Sequence, residues 1–72
     1  MRARLAVTIT ADDVGRRVTI RARHHGPEAT ATDVVGTLDS WDQGILTVTR
    51  RDGTRRRIAE TDLLAARVVP QP

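Results

Sequence analysis

No cysteine occurs among the 72 residues of this chain, so neither a disulfide nor a thiolate metal cage can brace it. Lys, Asn, Phe and Tyr are missing as well, and Trp41 is the single Trp. Those four absent residues are the ones with A/T-rich codons, so the composition is that of a high-GC genome and the abundance of Arg partly reflects codon supply. With one large aromatic, a polyproline-binding groove is excluded, since it needs several. Serial stacking of single-stranded bases is poorly provided for on the same ground. No apolar run approaches the roughly twenty residues of a membrane span. Met1-Arg2-Ala3-Arg4-Leu5 leads into Thr-rich alternation, where a signal peptide would carry its apolar segment. A cytoplasmic location away from membranes is the expectation.

What is present describes one small folding unit, expected to span residues 1–72 with a core over about 11–69 and a linker beginning at 70–72. Hydrophobic residues make up 39%, enough to hold a core and too many for a disordered chain. The twelve basic residues are all Arg and face nine acidic ones, for a formal charge of +3. That balance permits attraction to an acidic partner without requiring it.

Periodicity of two recurs along the chain, which is the mark of half-buried strands. Arg4 to Thr10 alternates Leu5, Val7 and Ile9 with Ala6, Thr8 and Thr10. Thr10-Ala11-Asp12-Asp13-Val14-Gly15 breaks that pattern with a capping residue, one short turn and a Gly suited to positive φ. Arg16 to Arg23 resumes it, with Val18, Ile20 and Ala22 facing a core and Arg17, Thr19, Arg21 and Arg23 facing water. His24-His25-Gly26-Pro27-Glu28 reads as a loop, and Ala29 to Thr32, poor in large apolar residues, as its mobile continuation. Asp33 to Trp41 is the next strand, with Val34, Gly36 and Leu38 on one parity and Val35, Thr37, Asp39 and Trp41 on the other. Gly36 inside it marks a bulge or a barrel corner.

Asp52-Gly53 between two strand-like runs signals a hairpin. A two-residue loop would oppose Thr47 to Ile58 and Val48 to Arg57, setting core candidates against polar residues. A three-residue loop, Arg51-Asp52-Gly53 with Gly53 left-handed, opposes Leu46 to Ile58 and Val48 to Arg56. The second keeps the apolar residues on one face and is the predicted register. It sends Thr47, Thr49, Arg55 and Arg57 outward. Glu60 to Leu64 has room for one helical turn, and Ala66 to Val69 is a last strand stopped by Pro70. Five to six short strands with tight turns and a short helical turn predict an all-β, SH3-like antiparallel barrel that hides its edges by closing.

Asp13-Val14-Gly15-Arg16-Arg17-Val18, Thr32 to Asp42, Arg50-Arg51-Asp52-Gly53 and Ile58 to Leu63 together resemble a known module. The chain is similar to the SH3-like domain that precedes the catalytic domain of actinobacterial GNAT-family N-acetyltransferases, some described as histone acetyltransferase-like. The resemblance covers about residues 11 to 70 and is most specific at Val35-Gly36-Thr37-Leu38-Asp39-Ser40-Trp41-Asp42. It implies a non-catalytic accessory domain without a cofactor of its own, partnered by an adjacent acetyltransferase domain or another protein. Arg56 departs from the apolar residue usual at its position in that family.

Residues that carry chemistry are few. Arg50-Arg51-Asp52-Gly53-Thr54-Arg55 matches the first four positions of the acetyl-CoA pyrophosphate loop but fails at Arg55, and no helix follows. His24 and His25 could serve as a base, yet the plainer reading is a solvated pair that nothing orients. Adjacent on an extended chain, they point apart and lack a third metal ligand. Asp39 and Asp42 flank Trp41, where turn stabilisation accounts for them. Ser40 is the only Ser. No catalytic, cofactor or metal residue is therefore assigned. The candidate contact surface comprises Val35, Trp41, Arg17, Arg21, Arg23, Arg55 and Arg57, with Trp41 alternatively a plug over one barrel end. A free-standing nucleic-acid-binding barrel, using the Arg clusters as one basic stripe, is the competing expectation.

Overall fold

The structure is a computed structural model that describes residues 6–26 and 30–70. Five antiparallel strands form one sheet: β1 (Arg17–His24), β2 (Thr30–Asp42), β3 (Ile45–Thr49), β4 (Arg55–Ala59) and β5 (Leu63–Val68). Their order across the sheet is β4-β3-β2-β1-β5, so every sequential neighbour pairs except β4 and β5. Two 3-10 turns, Ala11–Asp13 and Glu60–Asp62, fall at the two places where the sequence has room for a single turn. The result is a small barrel-like all-β domain.

The alternation read along β1 survives in three dimensions. Val18, Ile20 and Ala22 are buried, while Arg21, Arg23 and His24 are exposed. Val34, Leu38, Leu46, Val48, Ile58, Ile9 and Ala66 complete the core, and among the described residues it holds no polar or charged side chain. Ile9 extends this core below the boundary expected near residue 11.

Thirteen residues long, β2 serves two partners. Thr30 to Thr37 pairs with β1, and Thr37 to Asp42 pairs with β3. Gly36 sits where these two halves meet. A Cβ there would lie 2.8 Å from the Thr49 carbonyl carbon and 3.0 Å from Val48 Cγ1, and closer still to the Thr49 oxygen. The glycine thus lets the end of β3 cross tightly over β2, which is how the sheet curls.

The β3–β4 hairpin has the predicted register, with Leu46 opposite Ile58 and Val48 opposite Arg56. Gly53 has φ of +90°, and its N–H donates to the Arg50 carbonyl at 2.9 Å. At the other corner, the Asp12 N–H donates to Thr10 Oγ1 at 3.2 Å and the Thr10 N–H to Asp13 Oδ2 at 2.9 Å. This reciprocal cap ends at Gly15, with φ of +96°.

Four expectations are corrected. Within Arg4–Thr10, the described residues form no sheet strand. Val7 makes a single parallel bridge to Ala66, because the Thr10 cap turns the chain away at once. Arg4 and Leu5 lie outside the described residues. Thr30 to Thr32, read as part of a mobile loop, belong to β2, since main-chain pairing with Ala22, Arg23 and His24 holds them without large apolar side chains. Ala29, Pro27 and Glu28 lie outside the described residues. The last strand begins at Leu63 rather than Ala66, and a register shift against Arg21 and Ala22 leaves Leu64 exposed.

The fourth correction concerns parity. Leu38 opposes Val48 but Ser40 opposes Thr47, so Asp39 is an extra residue in β2. Such a bulge flips every side chain beyond it to the other face. Trp41 therefore stands opposite buried Leu46 and packs partly buried against the core, away from the face that Val35 occupies.

Candidate interaction surfaces

The outer face of β5-β1-β2 carries the first set of candidate residues. Along β1, Arg17 stands opposite Thr37, Thr19 lies between Val35 and Arg67, and Arg21 lies between Asp33 and Ala65. Val35 is 41% exposed, one of three large apolar side chains left in solvent among the described residues, with Val14 and Leu64. Arg21 Nε approaches Asp33 Oδ1 to 4.0 Å, an exposed pair of small energetic weight. Beside these residues runs an open groove of about 400 Å³, lined by Ala6, Thr8, Thr19, Asp33, Ala65 and Arg67 among others. Small side chains on β5 and on residues 6–8 leave that space. Arg23, further along β1 and opposite Ala31, is exposed beyond the groove.

Arg55 and Arg57 project from β4, at the far edge of the sheet. Two strands, β2 and β3, separate them from the Arg residues of β1, and Asp33 and Asp39 stand on β2 between the two sets. Asp39 accepts a hydrogen bond from Thr49 Oγ1 across to β3. The expected single stripe is thus two basic regions divided by an acidic strand. Arg56 lies on the inward parity beside Val48 and is half-buried near the hairpin tip.

Trp41 belongs to neither basic region. Its indole N–H donates to Glu60 Oε1 at 2.7 Å, and the Glu60 N–H donates to the Gly44 carbonyl at 2.8 Å. The ring therefore plugs the barrel end where the β2–β3 turn meets the second 3-10 turn, with its one polar atom satisfied. Sequence reasoning offered the plug as one of two readings. The signal it lacked was the bulge at Asp39.

The histidine pair is not wholly unoriented. His25 Nε2 lies 2.8 Å from Asp62 Oδ1, linking the loop after β1 to the turn before β5. Thirty-seven positions separate the two residues, so no local pattern could have paired them. Among the described residues no three His, Asp or Glu side chains gather in a metal-binding group. At the β3–β4 tip, the Thr54 N–H and Oγ1 both donate to Asp52 Oδ1, at 3.0 and 2.7 Å. These two bonds, the hydroxyl's foremost and aided by the nearby Arg50 charge, hold the Asp52 carboxyl below its usual range.

At the opposite end, the chain leaves the barrel past Val68, Val69 and Pro70, which line a groove of about 470 Å³ with Gly15, Arg16, Arg17 and Thr37. The Val69 N–H donates to the Arg17 carbonyl at 2.8 Å, fixing this exit against β1. No helix of the described residues is long and apolar enough to cross a membrane.

A curled five-stranded antiparallel sheet with a dry aliphatic core and Arg on its outer faces defines the chain as a small barrel-like β domain. Residues 6–67 match the family model of the Rv0428c N-terminal Sm-like domain, and the chain belongs to that family. The match covers nearly the segment in which the sequence resembles an SH3-like module, and its description reads Sm-like in place of SH3-like. No curated protein and no solved structure matches the chain.

Proposed function

We propose that this domain is a non-catalytic interaction module at the N-terminal side of a longer cytoplasmic protein, docking on the domain that follows it or on a protein partner. The observation that carries this reading is the family itself, whose description sets the Sm-like domain at the N-terminus of its protein. The resemblance read from Val35 to Asp42 and its flanking blocks makes a GNAT-family N-acetyltransferase the proposed parent. The acetyl-CoA chemistry would then belong to the following domain, with no cofactor held here. The exit groove supports the same reading. Val68, Val69 and Pro70 present apolar surface beside Arg16 and Arg17, where a following segment would first meet the barrel.

Immunoblotting and mass measurement of the native polypeptide in its source cell test the proposal. A product of several hundred residues that continues past Pro72 into an acetyltransferase sequence is expected. A native chain ending at Pro72 refutes the module, and acetyl-CoA turnover by the isolated domain refutes its non-catalytic role.

The second reading is a nucleic-acid-binding barrel that meets phosphate with its Arg residues. It is favoured by Arg17 and Arg23 on β1 and by Arg55 and Arg57 on β4, none of which has a salt-bridge partner among the described residues. Steep loss of DNA or RNA binding with salt, with a shallower slope in Arg55→Ala and Arg57→Ala, would support it. No binding at low salt would remove it.

A further inference from the structure

The two edges of the sheet are treated differently. At the β5 edge, the Ala66 N–H donates to the Ala6 carbonyl at 2.8 Å, and the Ala66 carbonyl accepts from the Thr8 N–H at 2.9 Å and from Thr8 Oγ1 at 3.0 Å. Residues 6–8 thus occupy main-chain groups that β5 would otherwise offer outward. The β4 edge has no such cover among the described residues.

The direction of the β4 main-chain groups follows from its ladder. The Arg50 N–H donates to the Thr54 carbonyl and the Glu60 N–H to the Gly44 carbonyl, both at 2.8 Å. In an antiparallel pair the bonded positions alternate, so Val48/Arg56 and Leu46/Ile58 are the bonded pairs between them. Arg55, Arg57 and Ala59 therefore turn their N–H and C=O groups away from β3. The same two arginines place their guanidinium groups on the outer face, with no salt-bridge partner among the described residues.

We infer that the β4 edge, Arg55 to Ala59, captures an extended acidic segment of another protein by strand addition. Main-chain hydrogen bonds to Arg55, Arg57 and Ala59 supply the pairing. Carboxylates at alternate positions of the incoming strand lie beside Arg55 and Arg57, since opposed side chains share a face of the sheet. The intervening side chains fall on the inward parity, next to Arg56 and Ile58. Strong positive charge on this edge also disfavours pairing between two copies, which would set Arg against Arg. The inference is independent of which domain follows in the chain.

Amide hydrogen exchange on the isolated 72-residue chain tests it, with a blocked heptapeptide of alternating Glu and Val as the probe. In the free protein the Arg55, Arg57 and Ala59 amides should exchange at least tenfold faster than those of Arg56 and Ile58. Saturating peptide should slow those three by tenfold or more. Arg57→Ala should weaken binding severalfold, and Arg57→Pro, which removes an outward N–H and none facing β3, should abolish the protection. A peptide N-methylated at alternate amides, which keeps the charge, should fail to protect the edge even if the Pro variant does not fold. Equal binding of that methylated peptide would reduce the contact to charge alone and overturn the inference. So would slow exchange at Arg55, Arg57 and Ala59 in the free protein, or protection that rises with protein concentration, which would give the edge to a second copy. A peptide that leaves these three amides unprotected at saturation, while a single-stranded oligonucleotide binds Arg55 and Arg57 at the same salt, would overturn it as well.

Discussion

Substituting Gly36 by Ala tests the curl of the sheet directly. Two effects oppose each other. Replacing a glycine in a strand interior reduces the freedom of the unfolded chain and by itself stabilises by about 0.5–1 kcal/mol. Against this, the new methyl would stand 2.8 Å from the Thr49 carbonyl carbon and 3.0 Å from Val48 Cγ1, with the Thr49 oxygen nearer still. The obstacle is main chain held in the β2–β3 ladder, so no side-chain rotation relieves it. Gly36 is also paired to Val18 on β1, and β2 cannot retreat without opening that ladder as well. Overpacking a well-packed core costs about 1–3 kcal/mol and sometimes more. With no flexible neighbour to yield, the upper end applies, for a net loss of about 2–3 kcal/mol. A domain of this size has roughly 4–11 kcal/mol of stability at ~0.05–0.15 kcal/mol per residue, so the loss is a large share of the total. At about 4–8 °C per kcal/mol the midpoint of melting should fall by some 8–24 °C. Urea and thermal unfolding followed by circular dichroism would measure both. Gly44→Ala is the control. There φ is +78° but nothing lies within 4 Å of the added Cβ, so only the left-handed penalty of about 1–2 kcal/mol applies. A Gly36→Ala protein as stable as the parent, or more stable than Gly44→Ala, would refute the argument that close approach of β3 fixes this glycine.

Further outcomes follow from the same structure. Trp41→Ala should cost about 2–3 kcal/mol in urea unfolding, below the ~3–5 of a fully buried ring because the indole is half-exposed; no change would place the ring outside the core. Arg56→Ile should raise stability by about 0.5–1 kcal/mol, since it sets an apolar side chain against Val48 on the inward parity, and a loss in the same assay would contradict that placement. Asp52 has its carboxyl held below its usual value of 3.8 by bonds present only in the folded hairpin. Its contribution is therefore present above that value and lost as pH falls through the lowered folded one. Thr54→Val should move the Asp52 titration back upward when followed by carbonyl NMR, and an unchanged titration would assign the depression to the retained Thr54 N–H and to Arg50 instead.

Much of the sheet was legible in the sequence because its determinants are local. Side-chain period two placed Val18, Ile20 and Ala22 inward on β1. The same periodicity chose between two hairpin loops at Arg51-Asp52-Gly53, since only one register keeps Leu46 and Ile58 on a common face. Gly15 and Gly53 announced their turns because no other residue adopts positive φ at so little cost. Tertiary structure decided what depends on a partner strand. Thr30 to Thr32 lack apolar side chains and extend β2 only because β1 offers them main-chain partners. Residues 6–8 alternate like a strand, yet whether they pair with β5 or with nothing depends on an edge formed sixty positions later in the chain. His25 meets Asp62 only once the barrel closes. Trp41 shows the division most clearly. Its identity as the single large aromatic was plain from the sequence, but one extra residue at Asp39 reversed the face it occupies, and a bulge arises from the fit of β2 to β3 that neither strand encodes alone.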